Sequence, residues 1–165
     1  GLYFHHGIER RSLPKKLFGV YEHRVLKPSS PLFRGFDDVF YAPHSRYTEV
    51  WEADIRRAPG LELIAVSSEA GVYAVKTEDS RQFFVMGHPE YDPDTLAREY
   101  WRDVEKGLDI AVPANYFPGD DPTRVPVVRW RSAGQLLYTN WLNYYVYQTT
   151  PYDLNKVSEG GAEQE

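Results

Sequence analysis

A change of hydrophobic period close to residue 92 limits the folds open to this chain. Before it, three short apolar segments separated by turn-forming residues favour strands joined as hairpins, at 61–66, 72–76 and 82–86. After it, Leu96, Tyr100 and Val104 recur at the spacing of a helix. We expect this helix to follow an N-cap at Asp92 and to end near Gly107. Strands joined by hairpins and followed by helices predict one part of an α/β sheet domain.

A second main helix is predicted from a capping box formed by Ser132 and Gln135. One face of that helix carries Leu137, Trp141, Tyr144, Tyr145 and Gln148. We expect its aromatic residues to pack in a core rather than to form a ligand platform. Because the chain then turns polar, we predict one domain over 1–152 and a disordered tail over 153–165.

Two strands are predicted upstream of the hairpins. The first occupies 18–25 and follows a basic loop at 9–16, and the second occupies 39–42 and ends at Pro43. Residues 1–7 read as the end of a helix that lacks its beginning. Since the chain does not start with Met either, we expect it to be a fragment of a longer protein.

Charge and composition exclude several classes of function. The net charge of -5 argues against a nucleic-acid surface, which requires clustered Lys and Arg. No apolar run reaches the roughly 18 residues of a membrane span, and no secretory signal is present, so we expect a cytoplasmic protein. The chain contains no Cys, which removes disulfides, thiolate metal sites and thiol catalysis from these 165 residues.

The segment 81–92 carries the clearest sign of chemistry. An apolar strand runs into Gly87 and stops at His88, and ligands of open α/β sheets bind beyond the carboxyl ends of strands. Glu90 lies two residues further on, so in an extended backbone its side chain projects the same way as that of His88. A carboxylate beside an imidazole fixes the tautomer that a general base needs.

From the pattern alone this His and Glu have a plainer interpretation. His88 would be a hydrogen-bonded histidine at a strand end, and Glu90 a surface acid near a helix N-terminus. A metal site would need more ligands than these two, and no third is indicated by spacing, so none is predicted.

Four motifs resemble one enzyme family. The strand followed by G-H-P-E is similar to the end of the class I glutamine amidotransferase fold. The segments G-L-Y-F-H-H-G-I, F-D-D-V-F-Y-A-P-H-S-R-Y, G-H-P-E-Y-D and N-W-L-N-Y-Y-V-Y-Q-T-T-P-Y-D-L resemble homoserine O-acyltransferases, at 1–8, 36–47, 87–92 and 140–154. These are the acetyl- and succinyltransferases of methionine biosynthesis. The resemblance implies the C-terminal half of a flavodoxin-like three-layer α/β domain, with a hairpin-rich strand region and two main helices.

The resemblance also implies roles for five residues. The family's catalytic His and Glu fall on His88 and Glu90, and its homoserine contacts fall on Lys16, Ser45 and Arg102. The implied reaction is ping-pong transfer from acetyl-CoA or succinyl-CoA, without a cofactor, through a Cys thiolate to the homoserine hydroxyl. The family's Cys belongs just before Gly1, so we expect the chain alone to be inactive. The family further implies a homodimer.

Other interpretations of these residues come from the pattern alone. Arg102 would be a solvated arginine paired with Glu99 or Glu105, and Ser45 a turn or cap residue. His23 and His44 are expected to be structural, as the resemblance assigns them no chemistry.

Two other functions are open. One is a glutamine amidotransferase-like hydrolase, which would share the fold but release ammonia without CoA. The other is a non-catalytic, half-length binding partner of a complete enzyme.

Overall fold

The computed structural model describes residues 1–148 and 150. Five strands are present in this part of the chain: β1 (Arg11–Val25), β2 (Val39–Glu49), β3 (Leu61–Ser67), β4 (Gly71–Thr77) and β5 (Phe83–Val85). The α-helices are α1 (Leu2–His6), α2 (Glu52–Arg57), α3 (Thr95–Glu105) and α4 (Arg131–Trp141), and a π-helical turn, Leu142–Val146, continues α4. The predicted tail at 153–165 lies outside the described residues.

The strands form one antiparallel sheet in the order β2-β1-β3-β4-β5. The hairpin-rich region and the two main helices, α3 and α4, are as predicted, and the α/β class is confirmed. Trp130, Leu96 and Phe18 belong to a cluster that attaches α3 to one part of the sheet, whereas Leu137 attaches α4 to another. The helix predicted to stop at Gly7 does so, with that glycine left-handed at φ 67°.

Two strands are longer than the sequence pattern predicted. β1 begins at Arg11 because Arg11 and Ser12 already pair with β2. The residues between Ser12 and Leu17, which were expected to be a loop, bulge out of this ladder. β2 continues through Pro43, whose carbonyl accepts a hydrogen bond from the His88 amide at 2.8 Å rather than from β1. The backbone N and O of a strand residue point to the same side, so the nitrogen of Pro43 also points away from β1. Its missing N–H therefore removes no hydrogen bond between β2 and β1.

The starts of both main helices differ from the prediction. α3 begins at Thr95 rather than directly after Asp92, because the intervening residues form a turn. α4 begins at Arg131, so Ser132 lies inside its first turn, and the capping box is wrong: no described side chain caps this helix. Ahead of it, buried Trp130 donates its indole N–H to the carbonyl of Tyr91 at 2.9 Å.

The predicted buried face of the second helix is only partly buried. Leu137 is in the core, but Trp141 is 40% exposed and Gln148 is exposed. The expectation that the whole aromatic face packs in the core is therefore wrong. No helix in residues 1–148 has the length and apolar character needed to cross a membrane.

Candidate active site

His88 lies in a tight turn that follows β5. Its Nδ1 is 2.8 Å from Oε1 of Glu90, and its ring stacks on Tyr91 with centroids 4.4 Å apart and planes 10° apart. The predicted His–Glu pair is therefore brought together, across a turn rather than along an extended backbone, since Tyr91 N donates to the His88 carbonyl. A carboxylate accepts, so Nδ1 carries the proton and Nε2 presents a lone pair, as a general base requires.

Glycine is required just before this histidine. A Cβ on Gly87 would lie 2.7 Å from Cε2 of Tyr73 and 3.1 Å from Nε2 of His44. Only a residue without a side chain lets the turn approach these buried rings so closely. The hydrogen bond from the His88 amide N–H to the carbonyl of Pro43 holds the turn against β2 from the same side.

His44 and His23 form a buried pair beneath the turn. Their Nε2 atoms are 3.0 Å apart, and the guanidinium of Arg46 lies 3.3 Å from Nδ1 of His44. Because a guanidinium only donates, neutral His44 carries its proton on Nε2 and donates it to His23. Burial lowers the pKa of both imidazoles, that of His23 to about 4 and that of His44 further. The charges of His23 and Arg46 add to the lowering of the His44 pKa. Both rings are buried and pair with each other; their structural role stays a prediction.

The predicted acceptor-binding residues meet at two acids of α3. Nζ of Lys16 lies 3.2 Å from Oε2 of Glu99 and 3.4 Å from Oδ2 of Asp103. The hydroxyl of Ser45 donates to Oε2 of Glu99 at 2.5 Å, and Nε of Arg102 donates to Oδ1 of Asp103 at 2.8 Å. Lys16, Ser45 and Arg102 come from the bulge of β1, from β2 and from α3. They therefore form one cluster.

Charge pairing within the cluster favours the ionised form of Asp103. The hydrogen bond from Arg102, followed by the charge of Lys16, holds the pKa of the Asp103 carboxyl below its usual value. The side chain of Lys16 is almost completely buried between the two acids. Arg102, by contrast, keeps 53% of its side chain exposed, so its outer nitrogens are accessible to a ligand.

Tyr91 connects this cluster with His88. Its ring stacks on the imidazole, and its hydroxyl donates to Oε1 of Glu99 at 3.3 Å. Burial and the Glu99 carboxylate raise the pKa of Tyr91 to about 12, so the hydroxyl stays a donor at neutral pH. The predicted general-base pair and the predicted acceptor-binding cluster are therefore adjacent, with Tyr91 in contact with both.

Sequence reasoning missed Glu99, Asp103 and Tyr91. The two acids are four residues apart on α3, a spacing that places them on one face, but such pairs are common on solvated helices. The pattern also paired Arg102 with Glu99 or Glu105, which is wrong, since its partner is Asp103. Within residues 1–148 and 150, no three His, Asp or Glu side chains are arranged to hold a metal ion.

Comparison with known proteins gives consistent results. The family model for homoserine O-succinyltransferase matches residues 1–152. The chain is 59% identical over 155 residues to a homoserine O-acetyltransferase of Brevibacillus brevis, which covers 94% of this chain and 51% of that protein. A homoserine O-acetyltransferase of Petrotoga mobilis is 55% identical over 159 residues, covering 96% and 52% of the two chains. The chain thus spans about half the length of the curated relatives it matches.

The fold also has a solved counterpart. A glutamine amidotransferase of Methylobacillus flagellatus superimposes with a TM-score of 0.52 at 16% identity, over 82% of this chain and 55% of that one. At this identity the likeness concerns the fold alone. It confirms the predicted glutamine amidotransferase-like architecture.

Proposed function

Because this chain belongs to the homoserine O-succinyltransferase family, as its motifs predicted, we propose that the full-length protein transfers an acyl group from acyl-CoA to the hydroxyl of L-homoserine. The reaction is a ping-pong transfer in two half-reactions. A Cys thiolate attacks the thioester carbonyl, the C–S bond to CoA breaks, and CoA leaves. The hydroxyl of homoserine then attacks the acyl-enzyme and releases the Cys. This chain has no Cys, so the nucleophile belongs to a segment outside these 165 residues.

His88 is the general base of both steps. Its Nε2 takes the proton of the Cys thiol and gives it to the departing CoA thiolate. In the second half-reaction Nε2 takes the proton of the homoserine hydroxyl and returns it to the departing Cys thiolate. Glu90, bonded to Nδ1, keeps the imidazole in the required tautomer and stabilises its protonated form. The half-exposed imidazole leaves Nε2 open to both substrates.

The observation that supports the acceptor best is the charge balance beside this base. Lys16 and Arg102 supply two positive charges, and Glu99 and Asp103 supply two negative ones. A free amino acid carries one of each sign at neutral pH. The fork of Arg102 suits its α-carboxylate, and the Glu99 carboxylate suits its α-ammonium. Ser45 sits between these charges and fits the role of a further acceptor contact.

The test is CoA release by the full-length protein, measured with and without L-homoserine and with acetyl-CoA and succinyl-CoA in turn. We expect turnover that needs both substrates and no activity from the 165-residue chain alone. His88→Ala should abolish turnover, whereas His5→Ala, at an exposed position of α1, should not. Full turnover by His88→Ala would refute the assignment of the base.

A second variant separates the two half-reactions. Arg102→Ala should raise the KM for homoserine strongly while the burst of CoA release that reports acyl-enzyme formation is unchanged. Arg98→Ala is the matched control, because this arginine lies on the same helix but pairs with Asp94 at the surface. Loss of the burst alone would place Arg102 in the CoA half-reaction instead.

Two other hypotheses predict different results. The likeness to a solved glutamine amidotransferase suggests hydrolysis of glutamine, which would release ammonia without CoA. The lack of a Cys suggests a non-catalytic binding partner, which would bind a complete enzyme and release no CoA in any combination.

A further inference from the structure

One face of α4 lies directly behind the turn that carries His88 and Glu90. Trp130, Gly134 and Tyr138 follow one another at four-residue spacing, so they share this face. The indole of Trp130 donates to the carbonyl of Tyr91 at 2.9 Å, and the hydroxyl of Tyr138 donates to Oε2 of Glu90 at 3.5 Å. The carboxylate is thus contacted from both sides, by the imidazole at one oxygen and by the phenol at the other.

We infer that Tyr138 is a positioning residue for the general base, holding the oxygen of Glu90 that His88 leaves free. The inference rests on the proposed function and adds a residue to it. A carboxylate bonded through one oxygen can rotate about its terminal bond, and half of the Glu90 side chain is exposed. Donors on both oxygens restrict this rotation. They therefore keep Oε1 in the plane of the imidazole that it must orient.

The helix that carries Tyr138 is itself held in place. Buried Asn140 donates its amide to the carbonyls of Leu32 and Arg34 at 3.0 and 2.8 Å, and buried Leu137 packs in the core. The position of the phenol is therefore set by the segment 32–34 and by the core rather than by the turn that carries His88. Burial and the nearby Glu90 carboxylate raise the pKa of Tyr138, so its hydroxyl is protonated and donates at neutral pH.

Close approach of α4 to the turn depends on Gly134. A Cβ at this position would lie 2.5 Å from the carbonyl oxygen of Pro89 and 3.3 Å from its Cβ. The absent side chain lets the helix axis come near enough for Tyr138 to reach Glu90. Trp130, Gly134 and Tyr138 thus contact Tyr91, Pro89 and Glu90 in turn, all from one face of the helix.

The test is Tyr138→Phe in the full-length protein, with Tyr147→Phe as a matched control at an exposed tyrosine of the same helical segment. Removing one hydrogen bond to a carboxylate should lower kcat about 3- to 10-fold, while the KM for homoserine changes less than about twofold. The control should keep the wild-type values.

A double-mutant cycle separates positioning from a structural role. In a Glu90→Ala background, Tyr138→Phe should have no further effect on kcat, because Tyr138 acts only through that carboxylate. An equal loss in both backgrounds would overturn the inference, as would wild-type kcat in the single variant.

A second measurement does not depend on turnover. The tautomer of His88 is read from the nitrogen chemical shifts of its imidazole, and the share with the proton on Nδ1 should be smaller in Tyr138→Phe than in wild type or in Tyr147→Phe. An unchanged tautomer would overturn the inference even if the proposed function fails. Absence of acyl transfer by the wild-type protein, by contrast, would refute the proposed function alone.

Discussion

Acidification from pH 7 to pH 5 should destabilise this protein through its two buried histidines. The pKa of His23 and of His44 is lowered by burial, so the folded state holds both rings neutral in this range. In the unfolded chain each ring titrates near its ordinary value of about 6.5. Protons therefore bind the unfolded state first. The stabilisation is complete above that value and is lost as the pH falls from it toward the folded pKa.

The size of the effect follows from these values. Between pH 7 and pH 5 each histidine costs about 2 kcal/mol of unfolding free energy, and the pair costs about 4 kcal/mol. Below pH 6 the slope approaches about 3 kcal/mol per pH unit, since two protons separate the states. This loss is a large fraction of the stability of a typical domain.

Urea unfolding followed by tryptophan fluorescence, repeated at half-unit steps of pH, measures this slope directly. His23→Gln removes one titrating ring but keeps an acceptor for the Nε2 proton of His44, so its slope should fall to about half the wild-type value. His5→Ala, at an exposed histidine, is the matched control. A wild-type slope no steeper than that of His23→Gln would refute the assignment of two neutral buried rings.

Three substitutions test the geometry of the site. Gly134→Ala should displace the turn that carries His88 and lower kcat roughly 100-fold, because misplacement by about 1 Å is enough for that loss. Ser132→Ala is the control, at an exposed position of the same helix. A kcat near the wild-type value in Gly134→Ala would contradict the close packing of helix and turn. Glu99→Gln should raise the homoserine KM at least about tenfold with an unchanged burst of CoA release, since an ammonium loses a charged partner. Glu105→Gln, at the exposed end of the same helix, should not, and equal KM values would remove Glu99 from the acceptor site. Gly87→Ala should lower the free energy of unfolding by about 1–3 kcal/mol through overpacking, measured by urea unfolding, and unchanged stability would show that the turn can shift freely.

Much of the local structure could be predicted from short-range signals. The three hairpin strands were placed to within one or two residues, because glycine at Gly60 and Gly71 and the turn at Ser80 determine where each strand stops. These turns need positive φ or sharp reversals, which are properties of the residue itself. The boundaries of β1 and β2 were wrong because a bulge and an edge position are properties of the sheet.

In the candidate active site, too, some features follow from local sequence and others depend on the sheet. Local sequence predicted that His88 and Glu90 lie together, and they do, although a turn rather than an extended backbone brings the imidazole and the carboxylate into contact. Family resemblance added Lys16, Ser45 and Arg102, but it gave no reason for them to meet.

What the amino-acid sequence by itself determined was the family, the chain order of the five strands and the two main helices, and the proximity of His88 and Glu90, but not the helix α2. Only the tertiary structure decided that Glu99 joins Lys16 to Ser45, that Tyr91 joins this cluster to His88, and that Tyr138 supports Glu90 from behind. The physical reason is separation along the chain. In the sequence, an acid on α3 cannot be told from an acid on a solvated helix face. The bulge of β1 brings a buried lysine against it, and no local sequence pattern predicts which distant element supplies that partner.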